Sequence, residues 1–286
     1  MSKRDQITIE PFTQDHIDFG MQLKNVARWN QLPADWSRFI DWEPEGCFLA
    51  MADDEPAGTA ITIRYQDRFG WIGMVLVHPE MRRRGIGTLL LMACIDYLEH
   101  AGVAAVKLDA TPMGKTLYDT IGFVDEYMIE RHALAAQTCE PSPDVRDVTD
   151  ADLDAICAFD AEAFGADRSR VLRRLSAEAD TDALVMADGS DITGYVFLRP
   201  GMSADHIGPW CATGPEAAEA LLATAISRRA GSKLFIDISR ANDHSADIVA
   251  RLGFERQRHL IRMFRGINAS PGETDLVYGI TGPEIG

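Results

Sequence analysis

Hydrophobic and polar positions along the chain alternate between two periods, and each change of period marks a predicted element. Short apolar runs rich in β-branched residues, which are typical of buried strands, lie at 7–9, 48–52, 58–64, 74–77 and 103–109. Apolar positions with helical spacing run through 19–26 and again through 86–101. Because strands and crossover helices alternate, the pattern predicts an α/β (or α+β) fold with a mixed, twisted sheet flanked by helices.

The second half of the chain repeats the landmarks of the first. Segments 145–148, 194–198, 234–237 and 252–254 resemble 7–10, 58–62, 106–109 and 121–123, in that order. Between the two sets, segment 139–144 contains two prolines and has the composition of a linker. The simplest interpretation is two tandem copies of one fold, with domains at 1–138 and 144–286.

Composition narrows the possible partners. The 286 residues are enough for two cores, and the formal net charge of −16 disfavours nucleic acid and anionic membrane surfaces while favouring a cationic substrate such as an amine. Five scattered cysteines, with no Cys-x-x-Cys pair, argue against a disulfide framework and a zinc site, so we expect no metal. No signal core or membrane span is evident, and we expect a cytoplasmic protein, for which a homodimer stays open.

The most informative stretch is the turn that follows the strand at 74–77. It reads Arg82-Arg-Arg-Gly-Ile-Gly87 and leads directly into the helix at 86–101. Glycines allow a close approach of the backbone to a ligand, and the first amides of a helix attract anions. Guanidinium groups favour phosphate over a neutral ligand, although three arginines are also compatible with a solvated loop. The sequence predicts a phosphate-ester site at this turn.

The order strand, Arg-x-x-Gly-x-Gly, amphipathic helix resembles the acetyl-coenzyme A signature of the GNAT superfamily of N-acetyltransferases. The resemblance implies that the strand binds the pantetheine arm along its main chain, that it splays from its neighbour there, and that the turn binds the pyrophosphate. It also implies a backbone amide facing the thioester carbonyl, and Leu76 is our first choice for that amide. The residues assigned to pantetheine are Val75, Leu76 and Val77, and those assigned to the pyrophosphate are Arg82, Arg83, Arg84, Gly85, Ile86, Gly87 and Thr88.

A second motif, Leu117-Tyr-x-x-x-Gly-Phe123, again resembles GNAT sequences. In that family a tyrosine at this helix position faces the coenzyme sulfur. A phenol, with a pKa near ~10, can protonate a leaving thiolate, whose conjugate acid titrates near ~8.5. Tyr118 is therefore the candidate general acid, and a core tyrosine is the alternative.

The acceptor side is less defined by the sequence. In GNAT folds the first helices and their connection form much of the acceptor pocket, which here implies Trp29, Asn30 and Asp35 as substrate-binding candidates. A buried amide and a buried carboxylate need partners, and an ammonium group would supply one. The general base stays open among the carboxylates Asp35, Glu43, Asp109, Glu126 and Glu130.

The two copies differ in their chemistry. The second copy runs Ile207-Gly-Pro-Trp-Cys-Ala-Thr-Gly-Pro-Glu216 into its helix without an arginine, and the position of Tyr118 is taken by Val249. We therefore expect a degenerate second domain. The resemblance implies an acetyl-CoA-dependent N-acetyltransferase, with acetyl-CoA as co-substrate. We expect a primary amine of a small molecule to attack the thioester directly in a ternary complex. The alternative is a non-catalytic coenzyme A binding or sensing protein.

Overall fold

The computed structural model describes residues 6–189 and 191–286, which form two compact units. The first unit contains the described residues up to Leu108, together with Phe264–Asn268 and Ile285. The second contains Asp109–Met263, Ala269–Glu284 and Gly286. The division at Leu108 precedes the predicted domain boundary, which remains a prediction.

The first unit consists of a five-stranded sheet and the helices that connect its strands. Its elements are β1 (Ile7–Pro11), α1 (Ile17–Ala27), α2 (Pro33–Trp42), β2 (Cys47–Ala52), β3 (Glu55–Tyr65), β4 (Phe69–Val77), α3 (Ile86–His100) and β5 (Ala105–Ala110), whose last two residues belong to the second unit.

The second unit begins with the last two elements of the first sequence copy and then repeats the whole order. Its elements are α4 (Pro112–Thr120), β6 (Val124–Leu134), β7 (Arg146–Asp147), α5 (Leu153–Phe164), α6 (Ser169–Ser176), β8 (Asp182–Asp188), β9 (Asp191–Arg199), β10 (Asp205–Ala212), α7 (Pro215–Arg228), β11 (Leu234–Ser239), α8 (Ser245–Arg251), β13 (Val277–Gly279) and β12 (Glu255–Gly266), whose last three residues belong to the first unit. Elements β7 to β12 follow the same order of strands and helices as β1 to β6, so the predicted internal repeat is confirmed.

The sheet of the first unit has the order β1-β2-β3-β4-β5. Its first four strands are antiparallel neighbours, and β4 and β5 are parallel. The strands predicted at 48–52 and 58–64 are confirmed as β2 and β3, which form an antiparallel hairpin. Both faces of this sheet are covered by buried apolar side chains. They include Trp71 and Ile63 of the strands, Leu90 and Leu91 of α3, and Trp36 of α2. Trp36, with no exposed surface, packs on Phe12 and Phe39, which makes it a core residue.

The sheet of the second unit has the order β12-β6-β11-β13-β10-β9-β8-β7, and β10 also pairs directly with β11. Strand β6 pairs with β11 over six residues, from Ile129↔Ser239 to Leu134↔Leu234. One face of this sheet packs on α7 and α8 through an apolar core that includes Leu221, Ile236 and Trp210. The closing segment forms β13 inside this sheet, between β10 and β11.

The described residues show neither a membrane-spanning helix nor a cluster of metal-binding side chains. Among residues 6–189 and 191–286, no helix combines the length and the apolar character needed to cross a bilayer. The same residues contain no group of three or more histidine, cysteine or acidic side chains arranged to hold a metal ion. All five cysteines are free thiols.

Candidate functional site

Strand β4 contains a β-bulge immediately before the predicted pantetheine segment. Thr59 of β3 pairs with Leu76 and Ile61 pairs with Gly73, so Ala60 stands opposite two residues of β4. Met74, one of those two, has a φ of +52°, which a non-glycine residue rarely adopts. The Thr59 hydroxyl, fully buried, donates to the Met74 carbonyl over 3.0 Å. This hydrogen bond fixes the bulge and so sets the direction of the following residues.

Strand β4 separates from β5 after Trp71, ahead of the bulge. The parallel pairing of the two strands covers only Phe69, Gly70 and Trp71 on β4. No register partner on β5 is present for residues 72–77, and no described strand of the first unit lies between β4 and β5. The main chain of β4 on this side is therefore available to an extended ligand, because an exposed strand edge carries unpaired amide and carbonyl groups.

The turn before α3 has the features of an anion site. Gly85 is the N-cap residue with a φ of +82°, and it provides no side-chain cap for the helix. The first intrahelical donor is the Leu89 amide, which donates to the Gly85 carbonyl over 3.0 Å. The amides of the first helical turn therefore lack acceptors in the helix, and no acidic residue lies in that turn.

The three arginines of the turn have different roles in the structure. Arg82 and Arg83 are exposed, and the Arg82 Nε donates to the Val77 carbonyl over 3.2 Å. Arg84 is half-buried, and its guanidinium lies 2.6 Å from the Met81 sulfur. Two exposed guanidinium groups beside uncapped helix amides are a suitable donor set for a diphosphate.

The Leu76 amide faces β3, contrary to the sequence prediction that it faces the thioester. The His78 amide donates to the Ala57 carbonyl over 2.8 Å, and amide directions alternate along a strand. A Cβ placed on Gly58 would lie 2.7 Å from the Leu76 carbonyl oxygen, so the polar groups of Leu76 point toward β3. By the same alternation the Val77 amide points away from β3. The sequence could not show this, because a one-residue bulge reverses the direction of every later amide.

The second predicted motif forms α4, which belongs to the second unit. Thr111 caps the helix by accepting from the Gly114 amide over 3.2 Å. Tyr118 is half-buried on this helix, with its ring 5.9 Å from that of Phe123. Gly122, with a φ of +88°, ends the helix, and the Phe123 amide donates to the Tyr118 carbonyl. Tyr118 is thus held by local packing in a partly accessible position, as a proton donor requires.

Asp35 has partners within the chain. Its carboxylate accepts from the Leu32 amide over 2.6 Å at the start of α2, and it forms an ion pair with the buried Arg38. The cation that the sequence argument sought in a substrate is supplied by Arg38, so Asp35 needs no ammonium ligand. Trp29 and Asn30, the other two candidates, form the connection between α1 and α2, where Trp29 is half-buried and Asn30 is 7% exposed.

Lys24, which the sequence analysis did not single out, lies under this connection. It has no exposed surface, and its ammonium lies 3.4 Å from the Trp29 carbonyl. Burial lowers the pKa of Lys24, and the nearby Asp35 carboxylate opposes that shift. The hydrogen bond ties the connection at Trp29 to α1.

Four of the five candidate general bases form ion pairs. Asp35 pairs with Arg38, and Glu43 accepts from Arg64 and from the Tyr97 hydroxyl. In the second unit, Asp109 binds Arg262 through both oxygens and Glu130 lies 3.1 Å from Arg256; the fifth candidate, Glu126, is half-buried on β6. Burial raises the pKa of Asp109 above its ordinary value, and the neighbouring Arg262 opposes that shift.

In the second unit, the gap that corresponds to the β4–β5 opening is closed. Strand β10 pairs with β11 only through Asp205, His206 and Ile207, and its pairing with β9 shifts after Ile207. Strand β13 then fills the space, with Gly279 pairing with both Trp210 and Ile238. Pro209 lies at this shift, and β10 continues past it to Ala212. The gap in the second unit is therefore occupied by the chain itself.

The helix that follows β10 also lacks the features of α3. Helix α7 begins with Pro215, which has no amide hydrogen, and Glu216 lies in its first turn. A carboxylate at this place repels an anion. No arginine lies between the start of β10 and the start of α7, in agreement with the sequence. Three polar or aromatic residues of this unit have structural roles: Trp210 donates to the Ala218 carbonyl, Asp237 pairs with Arg131, and Asn242 bonds the His244 amide and the Asp275 carbonyl.

Comparisons with known proteins agree with this architecture. A family model described as the acetyltransferase (GNAT) family matches residues 17–123, and one described as an acetyltransferase (GNAT) domain matches residues 156–279. A holothin acyltransferase of Pseudoalteromonas sp. is 26% identical over 288 aligned positions, covering 100% of this chain and 97% of that protein. A mycothiol acetyltransferase of Acidimicrobium ferrooxidans is 29% identical over 126 positions, covering 38% of this chain and 41% of that protein.

Solved structures have a similar fold. A putative acetyltransferase from Pyrococcus horikoshii superposes with a TM-score of 0.85 at 25% identity, covering 98% of this chain and 96% of that one. A tandem GNAT protein from the clavulanic acid biosynthesis pathway superposes with a TM-score of 0.66 at 12% identity, covering 91% of this chain and 98% of that one, and supports the fold alone.

Proposed function

The chain belongs to the GNAT family of acetyltransferases, of which it carries two domains in tandem, and on this premise we propose that it transfers the acetyl group of acetyl-CoA to a primary amine of a small molecule. The observation that carries the proposal is the combination of a bulged, half-open β4 with an uncapped, arginine-flanked helix start at Gly85. An extended ligand with a diphosphate at one end complements both features.

The turn and β4 have separate tasks in this proposal. Amides of the first turn of α3, with Arg82 and Arg83, bind the pyrophosphate, and the β4 main chain binds the pantetheine arm. We assign the amide that faces the ligand to Val77, in place of Leu76, and retain Val75 from the sequence prediction. A backbone donor aimed at the developing oxyanion lowers a barrier by about 2.7–4 kcal/mol.

The reaction itself is a direct transfer. The amine nitrogen attacks the thioester carbonyl carbon, the carbon–sulfur bond breaks, and the sulfur leaves with the electron pair. Tyr118 donates its phenolic proton to that sulfur, and the amine loses its proton to solvent or to a base, for which no single carboxylate is assigned. The support for Tyr118 is its motif, its half-buried position and the pKa order of phenol and thiol.

Two observations support a small amine as the acceptor. The net charge of −16 attracts cations, and Trp29 and Asn30 form a connection that Lys24 holds in place. Asp35 enters the proposal only as a residue that positions this connection, through its bonds to Leu32 and Arg38.

An amine panel tests the proposal. The full-length protein is incubated with acetyl-CoA and each amine, and thiol release is followed. Turnover with at least one amine, with acetylated product detected by mass spectrometry, supports the transferase. Tight binding of coenzyme A without turnover on any amine favours the alternative, a sensing protein, and absence of coenzyme binding removes both.

A further inference from the structure

The carbonyl oxygen of Val77 lies on the open side of β4. The His78 amide donates to the Ala57 carbonyl of β3 over 2.8 Å. The two polar groups of one trans peptide bond point in opposite directions, so the Val77 carbonyl, which shares this bond with the His78 amide, points away from β3. Register pairing of β4 with β5 ends at Trp71. The Val77 oxygen therefore faces the side of β4 that we assign to an extended ligand.

Arg82 already binds this oxygen. Its Nε donates to the Val77 carbonyl over 3.2 Å. A single turn of 3-10 helix, Pro79–Met81, lies between the two residues, and the Met81 amide closes it by donating to the His78 carbonyl over 2.9 Å. The backbone of this turn therefore returns the Arg82 side chain across the end of β4.

The start of α3 lies beside the same residue. A Cβ placed on Gly87, in the first turn of the helix, would lie 3.6 Å from a γ-methyl group of Val77. This first turn carries the amides that we assign to the diphosphate. Arg82 is exposed, so its side chain can rotate from Val77 toward these amides without disturbing the core. One guanidinium thus serves either the strand edge or a diphosphate bound at the helix.

A ligand that pairs with the β4 edge competes with Arg82. Extended ligands bind a strand edge through its free amide and carbonyl groups, so they need the Val77 oxygen and the space beside it. A guanidinium 3.2 Å from that oxygen occupies this space. A diphosphate displaces the contact, because it offers the guanidinium two parallel charge-assisted hydrogen bonds in exchange for one to a neutral carbonyl. A ligand without phosphate offers no such exchange.

We propose that Arg82 is a specificity-determining residue, which covers the Val77 carbonyl until a diphosphate draws its guanidinium away. The pantetheine arm of coenzyme A then reaches the β4 edge, whereas the same arm without a diphosphate binds poorly. This inference rests on the proposed function, because it takes the pantetheine arm to bind β4. It adds that the acyl donor is selected by its diphosphate as well as by its thioester.

Two ligands with the same arm test this role. Dissociation constants of coenzyme A and of pantetheine, which lacks the diphosphate, are measured by NMR titration of the full-length, ¹⁵N-labelled protein. We expect pantetheine to bind about fivefold more tightly to Arg82→Ala than to the wild type, because the freed carbonyl adds the equivalent of one net hydrogen bond. Coenzyme A should bind the same variant severalfold more weakly, because it loses a phosphate contact. A merely structural role of Arg82 would weaken both ligands.

Arg83→Ala is the matched control. It removes the neighbouring exposed arginine of the same turn, and it should weaken coenzyme A binding while leaving pantetheine binding unchanged. Pantetheine binding to Arg82→Ala that is equal to or weaker than binding to the wild type would overturn the inference and leave the proposed function standing. Absence of coenzyme A binding to the wild type would instead remove the proposed function, and the inference with it.

Thermal unfolding checks the fold of the variants. Both replace exposed arginines, so their midpoints should stay within about 2 °C of the wild type. Arg82→Met, which keeps the aliphatic length and lacks every donor, is a second variant with the same expected pair of opposite changes. The lack of these changes in a folded variant would contradict the proposal.

Discussion

Buried carboxylates in this protein are matched with guanidinium groups of the same chain. Asp35 pairs with Arg38, and Asp160 binds Arg168 through two hydrogen bonds of 2.7 and 2.8 Å. The sequence identified Asp35 as a buried carboxylate that needs a cation, and that much is confirmed. It could not identify the cation, because a hydrophobic pattern reports burial and carries no information on which side chains meet.

Tyr118 is the residue on which the proposed chemistry depends most. Replacing Tyr118 with Phe should lower kcat by about 10²–10⁴, the usual contribution of general acid catalysis, with little change in the KM for acetyl-CoA. Steady-state thiol release measures both constants. Tyr97→Phe is the control: it removes a hydroxyl that donates to Glu43, so it should reduce stability and leave kcat nearly unchanged. A Tyr118→Phe enzyme with normal kcat would exclude this role.

His206 predicts a pH dependence of stability. Burial, with Arg199 nearby, lowers its pKa to about 3, whereas an unfolded histidine titrates near ~6.5. Between these values the unfolded chain holds a proton that the folded chain does not, so stability falls as the pH falls. From pH 7 to 4.5 this residue should cost about 2–3 kcal/mol at 1.36 kcal/mol per pH unit.

Urea unfolding at pH 7 and at pH 4.5 measures this cost. The drop in unfolding free energy should be smaller in His206→Gln by about the same amount, because glutamine does not titrate. An equal drop in both proteins would show that other groups cause the acid sensitivity.

At the scale of elements, β4, the turn and α3 act together. The bulge directs β4, the separation from β5 exposes its edge, and Gly85 begins α3 with free amides. The strand, the turn and the helix were predictable, because apolar period and glycine spacing are local signals. The bulge was not, because a methionine with positive φ has no sequence signature; it depends on the hydroxyl of Thr59, fifteen residues away.

Gly85 allows a matched test of the turn. Gly85 (φ +82°) and Gly102 (φ +81°) lie at opposite ends of α3, and a Cβ on either would meet nothing within 4 Å. Alanine at either position should therefore cost a similar conformational strain of about 1–2 kcal/mol. Only Gly85→Ala should also raise the KM for acetyl-CoA, by about tenfold for roughly 1.4 kcal/mol of lost binding.

Thermal unfolding and steady-state kinetics of both variants check this expectation. Equal KM values in Gly85→Ala and Gly102→Ala would place the diphosphate elsewhere.

In the whole molecule the same order of strands and helices occurs twice, and the two copies differ at the gap in the sheet. The repeat itself was visible in the sequence, since short apolar landmarks recur in order. The closure of the second gap by β13 was not, because it joins Gly279 to Trp210, 69 residues apart in the chain, and three residues are too few for a periodic signal. The gap between β4 and β5 is open in the structure, and the corresponding gap between β10 and β11 is filled by β13. We therefore expect each chain to bind one coenzyme molecule.

Calorimetric titration of the full-length protein with acetyl-CoA measures how many coenzyme molecules one chain binds. We expect one molecule per chain, with affinity lowered in Arg82→Ala/Arg83→Ala and unchanged in Arg228→Ala, which alters an exposed arginine near the end of α7. Two molecules bound per chain, or binding that the turn variant leaves intact, would contradict this expectation.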